Sequence, residues 1–215
     1  LINAIGDDHK PSVVIFYDGV NDVINQCRRE FQSLPIHSRE LTVQNSLKSN
    51  QIKRYLKFVV SPYISFANKF NIKLSLDNSI NAKQYDCDTN QAKAYSIAQH
   101  LVNNWRTAYA RSKTDGFQFY GILQPTLFST TTNSEYLNSS ETKSHSQLES
   151  QYIKVYPLIL KEIKRQCEFD KDFCSSMING SDWLDGTNNV FIDYCHVNST
   201  GNQVIAKRLK SLLKR

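Results

Sequence analysis

The sequence predicts an α/β protein in which helices alternate with the strands of a mostly parallel sheet. Three short apolar runs have the length of buried strands and lead into polar segments: residues 12–17, 117–123 and 190–192. The segments between them include stretches with the spacing of apolar side chains that is typical of helices. Strands separated by helices form βαβ units, and these units place their strands parallel in one sheet.

The elements of the first half follow from local patterns. Residues 12–17 predict a strand buried on both faces, and a helix follows from about Val20. Prolines and asparagines across residues 35–88 indicate an irregular insertion over one end of the sheet. A polar residue within 88–90 then caps a helix that runs to about Ser112.

The second half continues the alternation. Residues 117–123 predict a second buried strand, which ends at Gln124-Pro125, and a Ser/Thr-rich loop covers residues 129–146. A helix is expected over residues 147–166, followed by a polar loop over residues 170–188.

The chain closes with a short strand and a basic helix. Residues 190–192 predict the last strand, and Thr200 with Gln203 predicts a capping box for the final helix. Of the net charge of +6, five charges lie in that helix or just after it: Lys207, Arg208, Lys210, Lys214 and Arg215. Basic residues at a helix carboxyl end complement its dipole, so we interpret them as a solvated face.

The five cysteines favour disulfides over a metal site, because no Cys-x-x-Cys pair occurs. Cys167 and Cys174 flank a short polar loop and are candidates for a local bridge. Cys27 and Cys87 are candidates for a bridge across the insertion. The odd number leaves one thiol free. The number of cysteines does not settle the cellular compartment, although an extracytoplasmic or secreted location is favoured.

Composition excludes two classes of partner. No apolar run approaches the roughly 18–20 residues that span a bilayer, so no transmembrane segment is predicted in this chain. No basic stripe interleaved with aromatic side chains occurs, so we expect no nucleic-acid partner. The oligomeric state cannot be read from the sequence.

Two polar turns carry the chemistry that the sequence offers. Gly19-Val20-Asn21-Asp22 follows the first predicted strand, and Asp193-Tyr194-Cys195-His196 follows the last. Ligand sites in parallel sheets form beyond the carboxyl ends of the strands, where both turns are expected. Either turn alone is most simply a structural feature, but their order and context together favour a site.

These two turns resemble the SGNH hydrolases, also called the GDSL esterase/lipase superfamily. The first turn matches that family's Gly-x-Asn-Asp block, and the second matches its Asp-x-x-His block. The continuation through Gly201-Asn202 is similar to the family's closing segment. The resemblance covers the scaffold but not residues 35–88. It implies a three-layer α/β/α sandwich with a mostly parallel, flavodoxin-like sheet.

The resemblance also implies roles for five residues. His196 would be the general base, and Asp193 would fix its tautomer and orientation. Asn21 would donate its side-chain amide to the oxyanion, aided by the turn at Gly19. Asp22 would brace the turn rather than react. No cofactor and no metal ion is implied.

Two blocks of the family are missing from this chain, and the second of them supplies an oxyanion-hole glycine. The Gly-Asp-Ser block, which carries the nucleophile, precedes Gly-x-Asn-Asp in the family and is not present here. Gly180-Ser181-Asp182 has similar residues in the wrong order and place, and Cys195 is expected to point away from His196. Residues 1–6 resemble the last turn of a helix and its glycine cap. We therefore expect a fragment that lacks its amino-terminal strand, as one incomplete domain over residues 1–215 with an insertion at about 35–88.

The predicted function of the intact protein is hydrolysis of a carboxylic ester through an acyl-serine intermediate. The resemblance suggests a small acyl group, such as acetyl, on a small-molecule or carbohydrate alcohol. Two alternatives remain: an O-acyltransferase acting on a carbohydrate, and a catalytically inactive binding domain. The fragment alone is expected to be inactive.

Overall fold

The computed structural model describes residues 11–29, 85–132 and 142–213. In chain order, its elements are β1 (Val13–Asp18), α1 (Val20–Gln26), α2 (Gln91–Asp115), β2 (Gln118–Leu123), α3 (Thr142–Cys167), α4 (Lys171–Ser175), β3 (Met177–Asn179) and α5 (Ser199–Leu212). The predicted α/β class is confirmed. Among the helices described, none combines the length and the apolar character needed to cross a membrane.

The chain divides into two units, and the described residues all belong to one of them. That unit combines Leu1–Arg29 with Tyr85–Arg215, and the other is Glu30–Gln84. The predicted helix end at residues 1–6 and nearly all of the predicted insertion lie outside the described residues.

The three described strands form one parallel sheet in the order β1-β2-β3. In the register of β1 and β2, Val13 lies opposite Gln118 and Asp18 lies opposite Leu123. β2 and β3 pair from Gly121 with Met177 onward. All three carboxyl ends therefore lie at the same edge of the sheet, and the prediction of parallel strands is confirmed.

The prediction that β1 is buried on both faces was wrong for the described structure. Its side chains are β-branched and aromatic as expected, but each residue from Val13 to Asp18 is only partly buried. Within the described ranges β1 pairs with β2 alone, so it lies at the edge of this sheet. An edge strand lacks a neighbour that would cover its second side.

The third strand is not the one that the sequence predicted. Residues 177–179, inside the predicted polar loop, form β3, and Lys171–Ser175 forms α4. Residues 190–192 form no strand of the described sheet. Instead, Phe191 forms an isolated antiparallel bridge with Val197, and the Ile192 N–H donates to the His196 carbonyl over 2.7 Å. The chain turns back on itself there, so its apolar run has no neighbouring strand to join.

The long helices agree with their predicted positions, with differences at their ends. Asn90 caps α2, its side chain accepting from the Lys93 N–H over 3.1 Å. α3 begins five residues before the predicted 147. The capping box of Thr200 and Gln203 was wrong, because Asn198 caps α5 and accepts from the N–H groups of Thr200 and Gly201. Asparagine is among the best N-cap residues.

Both predicted disulfides are confirmed. Cys27 is bonded to Cys87, and Cys167 is bonded to Cys174. Cys195 is the free thiol and is buried. The first bridge ties the end of α1 to the segment that leads into α2.

The core lies between the sheet and the two long helices. Trp105 of α2 is fully buried against β2, where a Cβ on Gly121 would come within 2.7 Å of the indole ring. The indole N–H donates to the Asp18 carboxylate over 3.4 Å. A packing role for Trp105 therefore agrees with the structure, and glycine is required beneath it.

Candidate active site

The first polar turn lies at the carboxyl end of β1. Gly19 has φ +116°, and a Cβ there would lie 2.6 Å from the Leu123 side chain. Glycine is the residue that adopts this backbone conformation without strain. Asn21 follows in the first turn of α1, with its side chain exposed at the surface.

Asp22 lies three residues after Gly19, and the backbone of the turn acts on its carboxyl. The backbone N–H groups of Asp22 itself and of Gly19 lower the pKa of this carboxyl. Gly19 supports the site through its backbone conformation, and the Asn21 side chain is exposed.

Burial acts on both carboxyl groups of this turn. Burial, together with the neighbouring Asp18 carboxyl, raises the pKa of Asp22 to about 6. Burial also raises the pKa of Asp18, although the hydrogen bond from Trp105 opposes that change. Asp18 and Asp22 are thus two neighbouring acidic groups whose negative charges repel each other.

The second polar turn holds the expected pair of histidine and aspartate. The His196 Nδ1 lies 2.6 Å from one Asp193 carboxylate oxygen. The other oxygen accepts from the N–H groups of Cys195 and His196 over 2.8 Å and 2.7 Å. The carboxylate is therefore fixed on both sides and holds the imidazole plane.

The hydrogen bonds of Asp193 determine which atom of the pair carries the proton. Partial burial raises the pKa of Asp193, but the hydrogen bonds from Cys195 and His196 together hold it below its usual value. An ionised carboxylate can only accept, so the His196 Nδ1 donates. This leaves Nε2 as the nitrogen that can accept a proton, and the imidazole is 73% exposed.

The structure brings both turns to the same edge of the sheet. The Gln124 N–H, just after β2, donates to the Asp18 carbonyl over 2.8 Å. The side-chain amide of Gln124 donates to the Cys195 carbonyl over 3.4 Å. The Leu127 N–H donates to the Tyr194 carbonyl over 2.8 Å. One residue, Gln124, is thus bonded to both turns.

Two other candidate nucleophiles have different surroundings. The Ser181 hydroxyl is buried and donates to the Asn179 side chain over 2.7 Å. Burial and, to a smaller extent, the Asp193 carboxylate raise the pKa of the Cys195 thiol to about 12. A thiol in this state is a poor nucleophile. The expectation that Cys195 points away from His196 was wrong, because its sulfur lies 3.7 Å from the His196 Nδ1.

The same turn contains the residues that could hold a metal ion. One ligand atom each from Asp193, Cys195 and His196 lies within 4.8 Å of the others. The short hydrogen bond to the Asp193 carboxylate already occupies the His196 Nδ1. The arrangement is therefore better suited to orienting an imidazole.

Sequence reasoning missed the aromatic side chains that lie beneath both turns. Tyr152 and Tyr156, one turn apart on α3, donate from their hydroxyls to the carbonyls of Val20 and Gln124. The signal that could have found them is their spacing of four residues on a helix, which places both on one face.

No family model, curated protein or solved structure matches this chain. The resemblance to the SGNH hydrolases therefore stays a prediction that rests on the residues of the two polar turns.

Proposed function

We propose that this chain belongs to a serine carboxylic ester hydrolase of the SGNH type. The observation that carries the proposal is the bonded pair of Asp193 and His196 beside the turn that presents Asn21. The proposal includes the three-layer sandwich with a flavodoxin-like sheet. The substrate class is an ester of a small acyl group, such as acetyl, with a small-molecule or carbohydrate alcohol.

The nucleophile in this proposal is a serine upstream of Leu1. Ser181 and Cys195 do not support an alternative, because one hydroxyl is committed to Asn179 and the thiol is held in its protonated form. The edge of β1 lies beside the Gly19 turn, so a strand that pairs there would end near Asn21. A serine at that strand end would be close to both motifs.

The proposed reaction uses the geometry of both turns. The serine oxygen bonds to the acyl carbon while the His196 Nε2 takes the hydroxyl proton. Negative charge develops on the carbonyl oxygen, where the Asn21 amide donates a hydrogen bond. The bond to the alcohol then breaks, and the departing oxygen receives the proton from Nε2. Water repeats the sequence on the acyl-serine and releases the acid.

The proposal is tested by labelling the full-length protein with a fluorophosphonate, which reacts with activated serines. Mass spectrometry should place the label on a serine upstream of Leu1. Labelling should be lost in His196→Ala and retained in His100→Ala, which changes a histidine of α2. Label on Ser181, or unchanged labelling in His196→Ala, would overturn the assignment.

A turnover assay separates hydrolysis from acyl transfer. With 4-nitrophenyl acetate as donor, hydrolysis releases acetate whether or not a sugar is added. If added sugar becomes acetylated at the expense of free acetate, the activity is O-acyl transfer at the same site. If the unlabelled protein neither hydrolyses the ester nor acetylates the sugar, the domain is a binding module.

A further inference from the structure

Tyr152 of α3 contacts the turn that presents Asn21. Its side chain is 1% exposed, and its hydroxyl donates to the Val20 carbonyl over 3.0 Å. Val20 stands between Gly19 and Asn21 at the start of α1. This bond therefore ties the first turn of α1 to the middle of a long helix.

The ring of the same residue packs near the turn that holds His196. The Tyr152 and Tyr194 ring centroids are 6.0 Å apart, and Tyr194 is the neighbour of Asp193. Phe128 completes the group, stacked on Tyr194 at 6.2 Å and tilted towards Tyr152 at 5.7 Å. One side chain thus reaches both turns, through its hydroxyl on one side and its ring on the other.

Tyr156 supports the same arrangement one helical turn later. Its hydroxyl donates to the Gln124 carbonyl over 2.8 Å, and its ring meets Tyr152 edge to face at 5.5 Å. Burial raises the pKa of both tyrosines, and the charges or dipoles of their neighbours add to it. Both hydroxyls therefore stay protonated and remain donors.

We infer that Tyr152 is a positioning residue that sets the Asn21 amide against the His196 imidazole. The inference rests on the proposed function, because it assigns to Tyr152 the alignment of the oxyanion donor with the base. These two groups lie on separate segments of the chain. Displacing one reacting group by about 1 Å can cost about 100-fold in rate. Tyr152 is bonded to Val20, next to Asn21, and packs on Tyr194 in the turn of His196, so its contacts bear on the position of both groups.

Two substitutions at this position separate the two contacts. Tyr152→Phe removes the bond to Val20 but keeps the ring against Tyr194. Tyr152→Leu removes both. The matched control is Tyr109→Phe, which removes the hydroxyl of another buried tyrosine, one that packs on Phe173.

The first measurement uses NMR signals and needs no turnover. In Tyr152→Phe, the Asn21 backbone and side-chain amide signals should move while the His196 imidazole signals stay. In Tyr152→Leu, both sets should move. In Tyr109→Phe, neither should move. Unchanged Asn21 signals in folded Tyr152→Phe would overturn the inference, whatever the enzyme assay shows.

The second measurement is the kinetics of ester hydrolysis in the full-length protein. Tyr152→Phe should lower kcat by roughly 10- to 100-fold with little change in KM, and Tyr109→Phe should change neither. A normal kcat in Tyr152→Phe would overturn the inference that positioning by Tyr152 affects catalysis. Failure of the proposed function has a different signature, because His196→Ala would then leave turnover or fluorophosphonate labelling unchanged.

Discussion

At the residue scale, the burial of Asp22 has a cost in stability. Its carboxyl is buried beside Asp18, and its pKa is raised to about 6. The backbone N–H groups of Asp22 and Gly19 lower this pKa, but the effect of burial is larger. Since the folded state favours the protonated form, ionisation of Asp22 destabilises the protein.

The change Asp22→Asn should therefore stabilise the protein at neutral pH. The folded pKa lies above the unfolded value near 4, so stability falls as the pH rises from about 4 to 6 and stays lower above 6. Asparagine has nearly the same size and shape as aspartate but carries no charge. We expect a gain in unfolding free energy of about 2–3 kcal/mol at pH 7.5 and little change at pH 4.

Chemical unfolding at pH 4 and pH 7.5 measures the unfolding free energy of Asp22→Asn. Asp182→Asn, which changes an exposed aspartate, is the control. An equal effect of Asp22→Asn at pH 4 and pH 7.5 would contradict the electrostatic explanation.

A second test at the residue scale is Asp193→Asn, which tests whether Asp193 orients the His196 imidazole. The oxygen of the substituted amide would still accept from the N–H groups of Cys195 and His196, but its NH₂ would face the His196 Nδ1. An NH₂ group is a donor, so it favours the tautomer that protonates Nε2. We expect kcat for ester hydrolysis to fall by roughly 10,000-fold, as loss of the triad carboxylate does elsewhere.

Thermal unfolding should show that Asp193→Asn remains folded. The matched control is Asp185→Asn, which changes an aspartate that accepts from Thr131. Near-normal kcat in Asp193→Asn would mean that this carboxylate does not orient the base.

At the scale of the elements, the turn between β1 and α1 depends on two constraints at Gly19. Its φ is +116°, and a Cβ would meet the Leu123 side chain at 2.6 Å. Gly116, at the carboxyl end of α2, has φ +79° and open space around its Cβ position. Gly116 has ψ 28° and is in the left-handed α region, whereas Gly19 has ψ −37° and is outside it. A side chain at Gly19 therefore meets a less accessible backbone conformation as well as the overlap.

Gly116→Ala should lower the unfolding free energy by about 1 kcal/mol, the usual cost of a left-handed conformation for a side chain. Gly19→Ala should cost about 3 kcal/mol or more, because overlap with Leu123 adds to the strain. Urea unfolding of both variants checks the difference. Equal losses would indicate that Leu123 moves aside without cost.

The elements also show why some predictions failed. β3 has three residues in a polar stretch, too few to give a periodic pattern. Residues 190–192 have the apolar character of a strand, but the bond from Ile192 to His196 turns them into a tight loop. Val190 and Phe191 are buried against Val204 and Ile205 of α5 rather than in a sheet, and Ile192 is exposed.

At the scale of the whole molecule, the two disulfides constrain loops of very different length. The Cys27–Cys87 bond joins residues 60 apart, and the Cys167–Cys174 bond joins residues 7 apart. In the chain-entropy model, a bridge stabilises by restricting the unfolded chain, and its effect grows with loop length. The long bridge should therefore contribute more.

Replacing Cys27 and Cys87 together by alanine should lower the unfolding free energy by about 4 kcal/mol, and replacing Cys167 and Cys174 by about 2 kcal/mol. Unfolding in denaturant without reductant measures both double variants. The reverse order would show that native packing around the short bridge outweighs the entropy of the long loop. Cys195→Ser serves as a control for loss of a thiol alone.

The sequence by itself determined the α/β class and the two polar turns, and it offered both disulfides as candidates that the structure then showed to form. The class and the turns depend on residues that are near in sequence. Asp193 and His196 interact within a four-residue turn, so their spacing was enough to predict the contact.

The tertiary structure decided which strands form the sheet and what lies between the two turns. Gln124, Tyr152 and Tyr156 gain their roles from contacts with residues far away along the chain. A local pattern does not encode such contacts, because they depend on how α3 packs on the carboxyl edge of the sheet. Packing between distant segments is what turned two local motifs into one candidate site.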